Sequence, residues 1–137
     1  MLTIADISFL YKITQQGIKK TVASKFGLTV SKSDIILGGF MHSLTIIRNI
    51  CAHGGRLYNR LFEQKPSLNR RELTLLITKA DGSLDNAHVF GFILIMKRLL
   101  SSLSSSEMKQ EIIQLSKKYP FVDLKHYGFR ADWTAKL

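Results

Sequence analysis

Apolar residues recur at helical spacing along most of the chain, and this periodicity limits the fold more than any other feature. Leu2, Ile4, Ile7, Leu10 and Tyr11 predict a first helix, with Phe9 and Ile13 widening its stripe. Ile18, Val22 and Phe26 predict a short second helix, closed by Gly27 as its C′ glycine. Ser31, Ser33 and Asp34 offer N-cap side chains for a longer helix reaching to about Ala52 or His53. Its stripe is Leu37, Phe40, Leu44, Ile47 and Cys51, and Gly54-Gly55 ends it. Gly38-Gly39 inside this helix predicts close backbone packing or a kink. Helical spacing resumes from Asn86 through Val89, Phe92, Ile93, Met96, Leu99, Leu100 and Leu103. A last clear helix opens at Ser104 to Glu107, carries Met108, Ile112 and Leu115 on one face, and closes at Tyr119-Pro120. Residues 56–86 form an irregular connection: Pro66 breaks any helix and Asp81-Gly82 reads as a turn, leaving helix, loop and small hairpin open. The tail holds Phe121, Leu124, Tyr127, Phe129 and Trp133, too much apolar surface to leave in water, and is expected to pack back on the bundle. The expectation is an all-α bundle of about five helices.

The 137 residues suit a single domain over residues 1–137, with no linker or repeat to divide it. One cysteine, Cys51, excludes an internal disulfide and suits a reducing, cytoplasmic setting. Residues 1–6 lack a basic n-region, so a secretory signal is not expected. The longest uncharged apolar run, Val89 to Met96, falls short of a membrane span, and no membrane partner is expected. Twenty Lys and Arg against ten Asp and Glu give a net charge of +10, and the excess is spread along the chain. Such a balance fits either a nucleic-acid partner or a well-solvated surface. One cysteine and four scattered histidines give no metal-ligand spacing, and neither Gly-Gly pair has the pattern of a phosphate loop. No metal and no cofactor are therefore expected. A Cys51–His53 nucleophile pair is disfavoured, because Cys51 sits on the apolar stripe, where a thiol is usually inert packing.

The stretch that carries chemistry is Ile46-Ile-Arg48-Asn49-Ile-Cys-Ala-His53-Gly-Gly-Arg56-Leu-Tyr58-Asn59-Arg60. With an advance of about 100° per residue, His42, Asn49 and His53 fall within an arc of about 40° and form a polar ridge. Arg48 falls about 120° away, beside the apolar stripe, where its guanidinium would be partly desolvated and would need a partner. Two readings stay open. Arg48 pairs with an internal acid such as Asp6 or Asp34 while His53 merely caps the helix. Alternatively, Arg48, Asn49 and His53 handle phosphate, with Arg56 and Arg60 beside them. Histidine can move a proton near neutral pH and arginine can stabilise a pentavalent phosphorus, so such a set could cleave RNA through its own 2′-hydroxyl.

The block Arg48-Asn49-x-x-x-His53 at a helix end resembles the motif of the HEPN superfamily. More narrowly, "IIRNICAHGGRLYNR" looks like the core of the Abi-like, abortive-infection phage-resistance family. "KKTVASKFGL" before it and "YGFRADW" near the C-terminus resemble flanking elements, so the likeness spans nearly the whole chain. The resemblance implies a HEPN-like helical fold corresponding to the C-terminal half of longer relatives. It implies a homodimer whose motif helices meet in one composite site, and metal-independent, toxin-like endoribonuclease activity. It makes Arg48 and His53 catalytic, with Asn49 orienting the site, and gives Arg56 and Asn59 site-supporting or RNA-contacting roles. Arg60 and His42 complete the expected RNA-binding set. A regulatory RNA or antitoxin partner is also implied. Gly55 stands where members modified by a partner nucleotidyltransferase carry tyrosine, so control by that route is not expected. The alternative is a non-catalytic RNA- or partner-binding helical module.

Overall fold

The structure is a computed structural model describing residues 2–100 and 105–137. Leu103 and Ser104, expected to close one helix and open the next, lie outside the described residues. Among the described residues there are seven α-helices and no strand, and Thr78 and Leu84 form an isolated antiparallel bridge. Five helices have ten or more residues: α1 (Ile4–Ile13), α2 (Gln16–Lys25), α3 (Ser33–Ala52), α5 (Val89–Leu100) and α6 (Ser105–Lys118). The other two, α4 (Arg70–Leu73) and α7 (Trp133–Lys136), are single turns. The all-α expectation holds, and the five long helices are those the periodicity marked. The chain separates into two compact units, Met1–Arg56 and Leu57–Leu137.

In the first unit α3 packs against both α1 and α2. A capping box opens α1: Thr3 Oγ1 accepts from the Asp6 N–H, and the Asp6 carboxylate accepts from the Thr3 N–H at 2.8 Å. Those hydrogen bonds from Thr3, the backbone one first, hold the Asp6 carboxyl below the ordinary carboxylate range. Tyr11 is the buried residue of α1. Its hydroxyl lies 3.1 Å from the Asp34 carbonyl and 3.2 Å from the Lys19 carbonyl, tying α1 to α3 and α2. Burial raises the Tyr11 phenol above its usual value.

The broad apolar stripe expected of α1 does not face a core. Leu2, Ile7, Phe9, Leu10 and Ile13 are all exposed. The contact with α3 is made through Tyr11 against Gly38, where an added Cβ would lie 3.5 Å from the tyrosine ring. Phe9 and Ile13 sit about 160° around the helix from Tyr11 and so point away. Gly27, at φ +71°, ends α2 as expected, in a Schellman motif with Leu28 N–H on Ala23 O and Gly27 N–H on Ser24 O.

The expected N-cap of α3 is corrected. Lys32 occupies the cap without a side-chain bond, while Ser33 and Asp34 are buried inside the first turn. There the Asp34 carboxylate accepts from Gln16 at 3.3 Å and still complements the helix dipole. Gly38-Gly39 produces close packing at Gly38 and no break in α3. On length and composition α3 could cross a membrane, as could the core helix of many soluble proteins. Counting contiguous apolar residues missed this, because Gly, Ser and Thr interrupt the run without adding charge.

In the second unit Leu76, Phe90, Leu94, Phe129 and Trp133 form the core. Ring centroids stand 4.4 Å apart for Phe90–Phe129 and 5.2 Å apart for Phe129–Trp133. The tail thus packs back as expected, except Phe121, which is 82% exposed. Phe121 follows Pro120 in the turn leaving α6 and has Tyr119 as its ring neighbour. Leu115 is also exposed, and Met108, Ile112 and Ile113 are half-covered apolar residues of α6. The 57–86 segment combines turns, α4 and a small hairpin-like turn. Asn69 and Glu72 form a capping box on α4, and Glu72 is paired with Arg98 of α5. Gly82, at φ +79°, makes the turn predicted at Asp81-Gly82, with Lys79 N–H on Ser83 O.

Candidate nucleic-acid interface

Burial along α3 fades from one end to the other. Leu37 and Phe40 are buried, Leu44 and Ile47 half-buried, and Cys51 exposed. The inert-packing reading of Cys51 is therefore corrected: the stripe runs on in sequence beyond the point where α3 is covered. Arg48 is exposed for the same reason, and the expected desolvation of its guanidinium is not found. Neither internal acid takes it. Asp6 is engaged in the α1 cap and Asp34 accepts from Gln16. Instead Arg48 Nη1 donates to Asn49 Oδ1 at 3.1 Å, folding the arginine back toward the ridge.

His53 is the C-cap residue of α3, with its N–H bonded to Asn49 O, and its side chain is exposed. A second Schellman motif locks the chain after it. Gly54 N–H bonds Cys51 O, and Gly55 N–H bonds Ile50 O at 2.7 Å. Gly54 has φ +64°, and a Cβ on Gly55 would meet the Ile50 carbonyl oxygen at 2.9 Å. These two glycines fix where His53 stands. Gly54→Ala is expected to destabilise the protein by about 1 kcal/mol, measured as a lowered urea midpoint.

The structure brings Arg48 and Asn49 into contact and leaves His42, His53 and Arg56 exposed without a side-chain hydrogen bond or ion pair among the described residues. Asn59 and Arg60 belong to the second unit. Asn59 adopts φ +51°, a left-handed conformation that asparagine tolerates, and its N–H bonds His126 O at 3.1 Å. Arg60 sits 5.9 Å from the Phe62 ring centroid. Next to them Tyr58 contacts the rings of His126 and Tyr127. Asn59→Gly is expected to leave thermal stability within about 0.5 kcal/mol, while Asn59→Val, with a branched Cβ at positive φ, loses more than about 1 kcal/mol. Equal stability of the two variants would remove the turn role.

The periodicity gave no hint of one further feature of the first unit. Ser8, Tyr11, Lys12, Lys19, Ile35 and His42 line a hollow of about 400 Å³, with Asp34 and Gly38 on its α3 wall. It is made by three helices meeting, and no sequence spacing encodes it. Among the described residues, no three His, Cys, Asp or Glu side chains gather where a metal ion could be held.

These features define an all-α protein whose third helix ends in an exposed arginine and histidine flanking a half-buried asparagine, on a basic chain. The family model for Abi-like protein matches residues 1–59, so this part of the chain is similar to that family. The match takes in "KKTVASKFGL" and the block as far as Asn59, and it stops short of "YGFRADW". No curated protein and no solved structure matches the chain.

Proposed function

We propose that the protein is an abortive-infection endoribonuclease of HEPN type, acting as a homodimer in phage defence. The observation that carries the reading is the exposed Arg48, hydrogen-bonded to Asn49, with the exposed His53 at the end of α3, on a chain of net charge +10. Exposed cationic and proton-transfer groups with no acid partner among the described residues suit a phosphodiester better than a fold contact. In the proposed reaction the 2′-oxygen attacks phosphorus as His53 takes its proton. Arg48 stabilises the charge on the non-bridging oxygens, and the P–O5′ bond breaks. The 5′-oxygen leaves as a hydroxyl by taking a proton from water, His53 returns its proton to solvent, and a 2′,3′-cyclic phosphate remains. Arg48 and His53 lie about 140° apart on an ideal helix, so two helix ends meeting across a two-fold axis would complete the set. The exposed Phe9 and Ile13 on one side of α1 supply apolar surface for such an association. Asn59 and Arg60 are assigned RNA contacts on the sequence block alone. The test is incubation of the purified protein with RNA in EDTA, followed by analysis of the ends. Cyclic phosphate products support the reading, and intact RNA overturns it.

A second reading is a non-catalytic RNA- or partner-binding module. It is favoured by Gly54, Gly55 and Asn59, whose presence backbone geometry already explains. It predicts salt-dependent RNA binding without cleavage.

A further inference from the structure

The hollow of the first unit and the Asn49–His53 ridge share one face of α3. Taking about 100° per residue with His42 at zero, Ile35 falls at about +20°, Gly38 at −40°, Asn49 at −20° and His53 at +20°. Leu37, Phe40, Leu44 and Ile47 occupy the other side. His42 stands where the two regions join: it lines the hollow and leads the ridge.

The hollow is chemically two-sided. Its basic side chains are Lys12, Lys19 and His42. The Lys19 Nζ is held in place, donating to the Lys12 carbonyl at 2.6 Å and standing 5.9 Å from the Tyr11 ring centroid. The Lys12 ammonium has no partner among the described residues and is exposed. The walls are apolar: the Tyr11 ring, and Ile35, which is 67% exposed. The Asp34 carboxylate lies buried, engaged by Gln16, and would repel a phosphate placed deep in the hollow. An anion therefore belongs at the mouth, among the lysines and His42, with an apolar or aromatic group against Tyr11 and Ile35. That is the outline of a nucleotide, with a π-face to pack and a phosphate to neutralise.

We propose that this hollow is an RNA subsite that holds one nucleotide upstream or downstream of the cleaved bond, with Lys12 and Lys19 on its phosphate. The proposal rests on the endoribonuclease reading for its substrate class. Eleven residues of helix separate His42 from His53, about 16 Å at 1.5 Å per residue, which corresponds to about five stacked nucleotides at 3.4 Å each. The experiment measures cleavage of single-stranded RNA oligomers from about three to ten nucleotides long by the parent protein, Lys12→Glu and Lys12→Gln. In parallel, fluorescence anisotropy follows binding of the same labelled oligomers.

For the parent, KM is expected to fall about ten-fold once the oligomer exceeds about five nucleotides. Lys12→Glu is expected to lose most of that gain and Lys12→Gln part of it, with the loss on KM rather than kcat. The salt slope of binding is expected to drop by about one per lysine removed. Variants whose KM falls with length as steeply as the parent's overturn the subsite and leave the endoribonuclease reading standing. If the parent cleaves no oligomer, that reading falls, and anisotropy decides the subsite alone. Weaker binding of long oligomers by Lys12→Glu then supports it, and equal binding overturns it.

Discussion

Replacing His53 with alanine is expected to lower RNA cleavage by about 10²- to 10⁴-fold, the range general acid–base groups contribute. The loss should be chemical rather than structural. His53 contributes its backbone N–H to α3 through the bond to Asn49 O, and the helix end is closed by Gly54 and Gly55, so alanine at 53 keeps every one of these bonds. Its imidazole is exposed, so its removal opens no cavity. Arg48→Ala is expected to be comparably inactive, and Arg48→Lys is expected to rescue little, because an ammonium lacks the planar fork that spans two phosphate oxygens. Mixing the two inactive proteins tests the composite site. If Arg48 of one protomer serves the His53 of its partner, the mixture regains a measurable share of activity. Robust cleavage by either single variant sinks the catalytic assignment. Cleavage by a strictly monomeric protein sinks the dimer.

The largest effect on stability is expected in the second unit. Phe90 is 1% exposed and packs its ring, tilted, against Phe129 with centroids 4.4 Å apart, in the cluster that also holds Leu76, Leu94 and Trp133. Truncation to alanine removes the ring's transfer energy and leaves a void that its aromatic neighbours fill poorly, for a cost of about 3–5 kcal/mol. Total stabilities of single domains are about 5–15 kcal/mol, so a large fraction is lost. The check is a urea titration followed by Trp133 fluorescence, with the midpoint moving to markedly lower urea. A midpoint close to that of the parent would remove Phe90 from the core.

Helices were the most legible part of the sequence because each long one carries a period. Gly27 and Gly82 were legible too, since only a few residues adopt their positive φ at low cost. What stayed hidden is tertiary. The apolar residues of α1 predicted a buried stripe, yet a periodic pattern does not say whether a partner covers it, and Tyr11 alone is buried. For Cys51 and Arg48 the same gap reversed their environment, from desolvated to exposed. The motif's spacing located Arg48, Asn49 and His53 on α3, and the Arg48–Asn49 hydrogen bond became visible only with side chains in place. Lys12 and Lys19 carry no spacing signal, because they come from different helices and converge only once α1 and α2 lie against α3.

The chain has one cysteine and one tryptophan, and the fold has assigned them to different places. Cys51 is an exposed thiol on the last turn of α3, two residues from His53, in the first unit. Trp133 is buried in the core of the second. A thiol-reactive dye therefore attaches beside the motif histidine without mutagenesis, while native tryptophan emission reads the other unit. The protein carries two separate optical channels, one for events at the helix end and one for the integrity of the aromatic core.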